Sequence, residues 1–165
     1  MSKSEEALKE AFAGESQANR RYLAFAAKAD QECHTQAARL FRAAAEAETI
    51  HAHNHLRALK AIHGTRENIQ EAVAGETHEF KKMYPAMIET AKAEGNKDAE
   101  RTFNYANEVE KIHASLYEKM LASLENPGEA YAYFVCPVCG YTAEKEPPGL
   151  CPVCGAKGRM FKRVD

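Results

Sequence analysis

The chain carries one pattern twice. Glu46-Ala47-Glu48-Thr49-Ile50-His51-Ala52 returns 62 residues later as Glu108-Val109-Glu110-Lys111-Ile112-His113-Ala114. Glu10-Ala11-Phe12-Ala13-Gly14-Glu15-Ser16 returns 61 residues later as Glu71-Ala72-Val73-Ala74-Gly75-Glu76-Thr77. An internal repeat of this kind means one supersecondary unit built twice. Residues 1–125 are rich in Ala, Glu, Lys, Leu and Arg and hold a single proline, Pro85, so the unit is helical. Breaks near Glu32–Thr35, Gly64–Asn68 and Gly95–Asn96 predict helices over about 3–31, 36–63, 69–94 and 97–125. Ser2 with Glu5, and Asn68 with Glu71, read as capping boxes, and Gly64 and Gly95 suit the left-handed residue that closes a helix. A helix hairpin present twice predicts a four-helix bundle with approximate two-fold symmetry. The connection between the second and third helices is short, so no long crossover is evident and the handedness stays open.

The stripes facing inward carry unexpected carboxylates. Steps of three and four gather Leu8, Phe12, Glu15, Asn19, Tyr22 and Ala26 on the first helix and Phe41, Ala44, Glu48, His51, His55, Leu59 and Ile62 on the second. Ile69, Val73, Glu76, Phe80, Met83 and Met87 follow on the third, and Phe103, Ala106, Glu110, His113, Tyr117, Leu121 and Leu124 on the fourth. A buried, unpaired carboxylate is costly. Four of them, at equivalent points of a repeat and without Lys or Arg beside them, call for a shared cation. Glu48-x-x-His51 and Glu110-x-x-His113 set carboxylate and imidazole one turn apart on one face. One Glu from each of two helices plus Glu-x-x-His from each of the others is the di-iron or di-manganese carboxylate pattern, and this donor set suits iron or manganese. Glu79, one turn beyond Glu76, has Ala18 as its counterpart. It is either solvated or a further ligand, exchanging with His51 as the metal changes oxidation state.

After Asn126-Pro127-Gly128 the physics changes. Four of the five cysteines lie beyond residue 135 and five of the six prolines beyond residue 126, whereas all seven histidines precede residue 126. Tyr131, Tyr133, Phe134 and Val135 read as a strand leading into Cys136-Pro137-Val138-Cys139-Gly140, which returns as Cys151-Pro152-Val153-Cys154-Gly155. Two such knuckles place four thiolates around one tetrahedral ion. So short a segment cannot bury a sufficient core, and the metal supplies folding free energy. Spacing does not separate zinc from iron; the neighbouring carboxylate site tips the choice to iron, because a redox cluster needs an electron source. The chain thus divides into a bundle, 1–126, and a four-cysteine domain, 127–165.

The formal net charge of −2 argues against a nucleic-acid binder. No apolar run approaches the ~20 residues of a membrane span, and the N-terminus lacks a secretory signal, so the expected setting is the cytoplasm. Paired cysteines there hold metal more often than disulfides.

At this point the chain resembles the rubrerythrins over essentially its whole length. Ala13-Gly14-Glu15-Ser16-Gln17-Ala18, Glu48-x-x-His51, Gly75-Glu76-x-x-Glu79, Met83-Tyr84-Pro85, Glu110-x-x-His113 and the two Cys-Pro-Val-Cys-Gly knuckles carry the match. The resemblance implies a mainly α protein, a ferritin-like four-helix bundle followed by a small β-rich rubredoxin-like domain. It implies two non-haem iron ions held by Glu15, Glu48, His51, Glu76, Glu79, Glu110 and His113, and one iron held by Cys136, Cys139, Cys151 and Cys154. Glu48 and Glu110 would bridge the pair. Glu15 would be terminal on one ion, with Glu79 or His51 exchanging beside it, and Glu76 and His113 would complete the other. Tyr22 and Tyr84 match tyrosines that hydrogen-bond ligand carboxylates in the family. The implied activity is two-electron reduction of hydrogen peroxide to water. Re-reduction would run through the cysteine iron from an external reductase or electron carrier drawing on a nicotinamide nucleotide.

From His113 to the helix end near Glu125 is roughly 18 Å at 1.5 Å per residue, and the linker extends the reach further. The cysteine iron is therefore expected far from its own chain's bundle site, with a head-to-tail homodimer closing the gap. His55 is read as an accommodated polar residue, Cys33 as a small turn residue without a catalytic role, and Pro85 as a kink after Tyr84. A ferritin-like ferroxidase or iron-handling protein is the alternative, but it gives no reason for the cysteines. A zinc-ribbon adaptor leaves the inward carboxylates unexplained.

Overall fold

The computed structural model describes residues 2–126 and 128–165. Pro127, the first residue of the expected cysteine domain, lies outside the described residues. The helical part comprises α1 (Lys3–Gln31), α2 (Thr35–Ala58), α3 (Thr65–His78), a π-helical turn (Glu79–Met83), α4 (Tyr84–Ala93) and α5 (Lys97–Ser123). Strands β1 (Tyr133–Val135), β2 (Thr142–Glu144) and β3 (Lys162–Val164) form an antiparallel sheet in the order β2-β1-β3. Among the described residues, no helix is long and apolar enough to cross a membrane.

Compact packing divides the chain at His63/Gly64, into 1–63 and 64–165. The first unit is the α1–α2 hairpin. It closes on small residues: Ala26, Ala29, Ala38, Ala45 and Ala52 are buried, Ala38 at 0 % exposure. Asn19 is buried with them, and its Nδ2 donates to the Ala45 carbonyl at 2.6 Å and to Thr49 Oγ1 at 2.8 Å. The second unit holds α3 to α5 and the sheet. Here β2 packs on α5 and Lys119 Nζ pairs with Glu144 Oε2 at 2.6 Å, so sheet and helix belong to one compact body.

Helix ends follow local chemistry. The Ser2–Glu5 capping box forms as expected. The Asn68–Glu71 box does not: α3 starts at Thr65 with Gly64 as its cap, which puts Asn68 inside the first turn. Gly64 has φ −65°, and the left-handed residue that closes α2 is Lys60, φ 54°, so α2 ends at Ala58 instead of near residue 63. Cys33 (φ 62°) and Gly95 (φ 69°) occupy equivalent left-handed turns of the two hairpins, so Cys33 is the turn residue of the first repeat.

Pro85 acts one turn earlier than expected. Without an N–H, and with a ring that crowds the carbonyl four residues back, proline disfavours the α-turn before it. The backbone widens there instead, and Tyr84 N–H bonds Glu79 O, five residues back. The π turn holds one extra residue, which explains why the repeat offset changes from 61 to 62. Beyond it, Ala26 matches Ile88 and Ala29 matches Ala91, all four buried. Tyr22 therefore corresponds to Tyr84, not to Met83. The rings agree: Tyr22–Phe41 centroids lie 6.2 Å apart and Tyr84–Phe103 centroids 6.3 Å.

Candidate metal centres

The structure gathers the bundle ligands into two groups of three, Glu15 with Glu48 and His51, and Glu76 with Glu110 and His113. Each group has the same internal geometry. His51 Nδ1 lies 2.8 Å from Glu48 Oε2 and 3.9 Å from Glu15 Oε1. His113 Nδ1 lies 2.8 Å from Glu110 Oε2 and 3.9 Å from Glu76 Oε2. Nδ1 is thus the imidazole atom turned toward the carboxylates in both copies. Among the described residues, these four glutamates form ion pairs only with those histidines. Carboxylate and imidazole donors converging without Lys or Arg fit a hard to borderline divalent cation.

The second group shows the electrostatic consequence. Burial, then the hydrogen bond shared with Glu110 and the charges of Glu110 and Glu79, push Glu76 up to about 7. Burial and Glu110 also raise Glu79, which stands outside both ligand groups but feels the charges of Glu110 and His113. Burial followed by the fields of Glu110, Glu79 and Glu76 raises the Tyr84 phenol. Tyr22 packs on Phe25 and Phe41, and His55 is half-buried near the end of α2.

A raised carboxyl has a signed effect on stability. Glu76 contributes stability to the metal-free fold below its ordinary pKa of 4.5, and that contribution is lost as pH rises through about 7. We expect the melting temperature of metal-free protein to fall between pH 5 and 8, and Glu76→Gln to flatten that fall. Iron binding should reverse the slope, because the cation demands the ionised carboxylate. Calorimetry across this range checks both signs.

The four cysteines form a third group. Cys136 Sγ lies 3.6 Å from Cys154 Sγ, and Cys139 Sγ lies 3.5 Å from Cys151 Sγ. The edge of a tetrahedron with metal–sulfur bonds near 2.3 Å is about 3.8 Å, whereas a disulfide needs about 2.05 Å. The knuckles turn through Gly140 (φ 86°) and Gly155 (φ 76°), whose N–H groups bond the Cys136 and Cys151 carbonyls. Burial pushes the Cys136 thiol up, but backbone N–H groups of Cys139 and Val138 and the neighbouring thiols outweigh it and bring it down to about 7. Burial raises Cys139 and Cys154, although each accepts from a backbone N–H, of Tyr141 and Ala156 respectively.

One residue of this site escapes sequence reasoning. Thr142 on β2 places Oγ1 3.0 Å from His113 Nε2 and donates to the Gly140 carbonyl at 3.2 Å. Gly140 in turn lies against Val109, the neighbour of Glu110. The cysteine domain therefore folds back along α5 onto its own chain's Glu76–Glu110–His113 group. The expectation that it lies far away assumed a tail running on past the helix end, and the Lys119–Glu144 pair and the β2–α5 packing reverse it. A cavity of about 450 Å³ lies at this junction, lined by Glu76, His113, Leu116, Tyr133 and Thr142 among others. A contact made 29 residues away by another domain leaves no periodic signal; only the hydroxyl's place just after a knuckle could have drawn attention. Outer partners of a ligating histidine orient it and tune its metal, at roughly 10- to 100-fold in affinity or activity. We expect Thr142→Val to slow re-reduction of the bundle site by about 10-fold while the cysteine iron keeps its spectrum, and Thr142→Ser to restore the rate.

Fold and donors together define a class: a ferritin-like helical protein with carboxylate–histidine metal ligands and an appended four-cysteine knuckle domain. A model described as rubrerythrin matches residues 6–121, and one described as the rubredoxin-like domain of rubrerythrin matches residues 134–162. The chain belongs to the rubrerythrin family. It is 41 % identical to rubrerythrin-2 of Clostridium acetobutylicum, over 94 % of this chain and 93 % of that one. It is 34 % identical to nigerythrin of Nitratidesulfovibrio vulgaris, over 90 % and 80 % of the two chains. Among solved structures, fully reduced, all-ferrous nigerythrin aligns with a TM-score of 0.61 at 30 % identity, over 99 % of this chain and 88 % of that one. The protein carries a di-iron carboxylate site and a four-cysteine rubredoxin-like iron site, and is an oxidoreductase of oxidative-stress defence.

Proposed function

We propose that this protein is a cytoplasmic, homodimeric peroxidase that reduces hydrogen peroxide to water, with electrons arriving through the cysteine iron from a donor protein fed by NAD(P)H. The observation that carries the reading is the Thr142–His113 contact, which joins a one-electron site to a ligand of the carboxylate centre. Iron storage alone gives no reason for that junction.

When bound, the iron pair supplies one electron from each ion to split the peroxide O–O bond. The balance is one peroxide, two electrons and two protons giving two waters. The protein's part is placement. Glu48 and Glu110 would be ligands common to both ions, Glu15 a ligand of one, and Glu76 with His113 ligands of the other. Glu79 and His51 are assigned as alternating ligands, since carboxylate favours the more highly charged oxidised ion and neutral imidazole the reduced one. Tyr22 and Tyr84 stand at equivalent places one helical turn or two beyond the ligands, each with its ring beside a phenylalanine of the next helix, Phe41 and Phe103. The asymmetry between His51, whose side chain is 53 % exposed, and His113, at 28 % and held by Thr142, suits one mobile and one fixed imidazole.

Anaerobic titration of the fully reduced protein tests the reading. Each peroxide should take up two electrons, so about one and a half peroxides should oxidise the three irons of a chain, with water as the product and no released hydroxyl radical. A requirement of about three peroxides per chain, or radical adducts in a spin trap, would reject it.

A further inference from the structure

We infer that Glu144 is a positioning residue for electron transfer. Paired with Lys119 of α5 and with Tyr131, it holds the cysteine domain against the Glu76–Glu110–His113 group of its own chain, through a contact that salt opens. This rests on the reading that electrons pass from the cysteine site to the carboxylate site, and not on peroxide as the oxidant.

Two polar contacts join β2 to α5. Thr142 Oγ1 meets His113 Nε2 at 3.0 Å, and Glu144 Oε2 accepts from Lys119 Nζ at 2.6 Å. Thr142 and Glu144 stand two residues apart on one face of β2, about 7 Å along the strand. His113 and Lys119 stand six residues apart, about 9 Å along the helix. The strand therefore runs along α5 and is held near each end. A single contact would be a pivot. The second fixes the direction of β2, and with it the closed state of the Thr142–His113 contact.

Apolar packing does not take over this task. Cavities of about 450 Å³ and 400 Å³ flank the seam, one between Met120 and Tyr133, the other between Ile112 and Pro147, and Leu116 lines both. Leu116 and Met120 stay only half-buried. A seam with so little packed apolar surface depends on its polar contacts. The Lys119 side chain is 60 % exposed, and an ion pair in contact with water weakens as salt is added.

Glu144 also gathers the rest of the domain. Its Oε1 accepts from the Tyr131 hydroxyl, in the segment that leads from α5 to β1. Lys145 Nζ lies 5.4 Å over the Tyr131 ring, and the Tyr133 ring packs on its other neighbourhood at 5.5 Å between centroids. Lys145 is left-handed at φ 68°, and its N–H bonds the Ala132 carbonyl at 2.9 Å. Linker, sheet and helix thus meet at one carboxylate. The transfer this arrangement serves moves one electron, with no bond made or broken.

Exchanging the two charges tests the inference. The variants are Lys119→Glu, Glu144→Lys and the two combined, each as the full-length, iron-loaded protein. A laser flash with an external photoreductant reduces the cysteine iron, and the return of its ferric absorbance times the passage of the electron to the bundle. Each single variant should slow that return about 5-fold, with the cysteine iron's own spectrum unchanged, and the combined variant should restore it to within about 2-fold. Potassium chloride at about 0.5 M should slow the wild-type and combined proteins and not the single variants. A second readout needs no electron. In zinc-loaded protein, amide relaxation should show residues 133–164 tumbling with α5 in the wild type and independently of it in the single variants. Single variants that keep the wild-type rate and tumbling, or a combined variant that stays as slow as they are, would overturn the inference. Wild-type protein that tumbles as one body yet passes no electron would overturn the underlying reading instead.

Discussion

Replacing Cys139 and Cys151 with serine is expected to abolish sustained peroxide turnover while leaving the first turnover of pre-reduced protein nearly intact. The two thiols come from different knuckles and lie 3.5 Å apart, so each knuckle would lose half its grip on the ion. The sheet around them has strands of only three residues, and its most buried residues include Cys136 and Cys151. A structural metal contributes on the order of 10 kcal/mol to such a domain. Its loss should therefore unfold residues 128–165 while the helices persist. Limited proteolysis should cut just beyond α5, and helical circular dichroism should stay near the wild-type value. Stopped-flow absorbance would separate the two phases, with rapid oxidation of the reduced bundle site and no return.

Glu110→Ala carries the second large effect. Glu110 touches His113, shares a hydrogen bond with Glu76 and adds its charge to the field at Glu79 and Tyr84. Removing it should cost more iron affinity than the roughly 10- to 100-fold typical of an outer-shell partner. The metal-free protein should respond in the opposite sense. With its neighbour gone, Glu76 moves back toward its ordinary range, and metal-free stability above pH 7 should rise. Gain in the metal-free form together with loss of metal binding is a signature that a merely structural carboxylate would not give. Melting curves with and without ferrous iron at pH 7.5 measure both halves. Glu110→Gln keeps the side chain's shape and should show the same pair of signs.

Much of this was legible because helices announce themselves through period and repeat. The Glu-x-x-His pairs, the four inward glutamates and the doubled knuckle are local patterns, and the structure brings each group together. Features set by competition between local and distant forces were harder to read. Asn68 looks like a helix start, yet α3 begins at Thr65. The change of offset from 61 to 62 was visible in the sequence, but its cause, an extra residue in the π turn before Pro85, needed the backbone. That turn also corrects the partner of Tyr22 to Tyr84. The return of the cysteine domain onto α5 depends on Thr142, Lys119 and Glu144 meeting across two elements, which no spacing rule encodes.

The proposed function has a carboxylate centre selective for peroxide and re-reduced by the cysteine iron. The most direct measurement mixes anaerobically reduced, fully iron-loaded protein with peroxide or with dioxygen at equal concentration and follows both iron sites. The account predicts rapid oxidation by peroxide, first at the bundle site and then at the cysteine iron, and much slower oxidation by dioxygen. Faster reaction with dioxygen would contradict it and favour a ferroxidase.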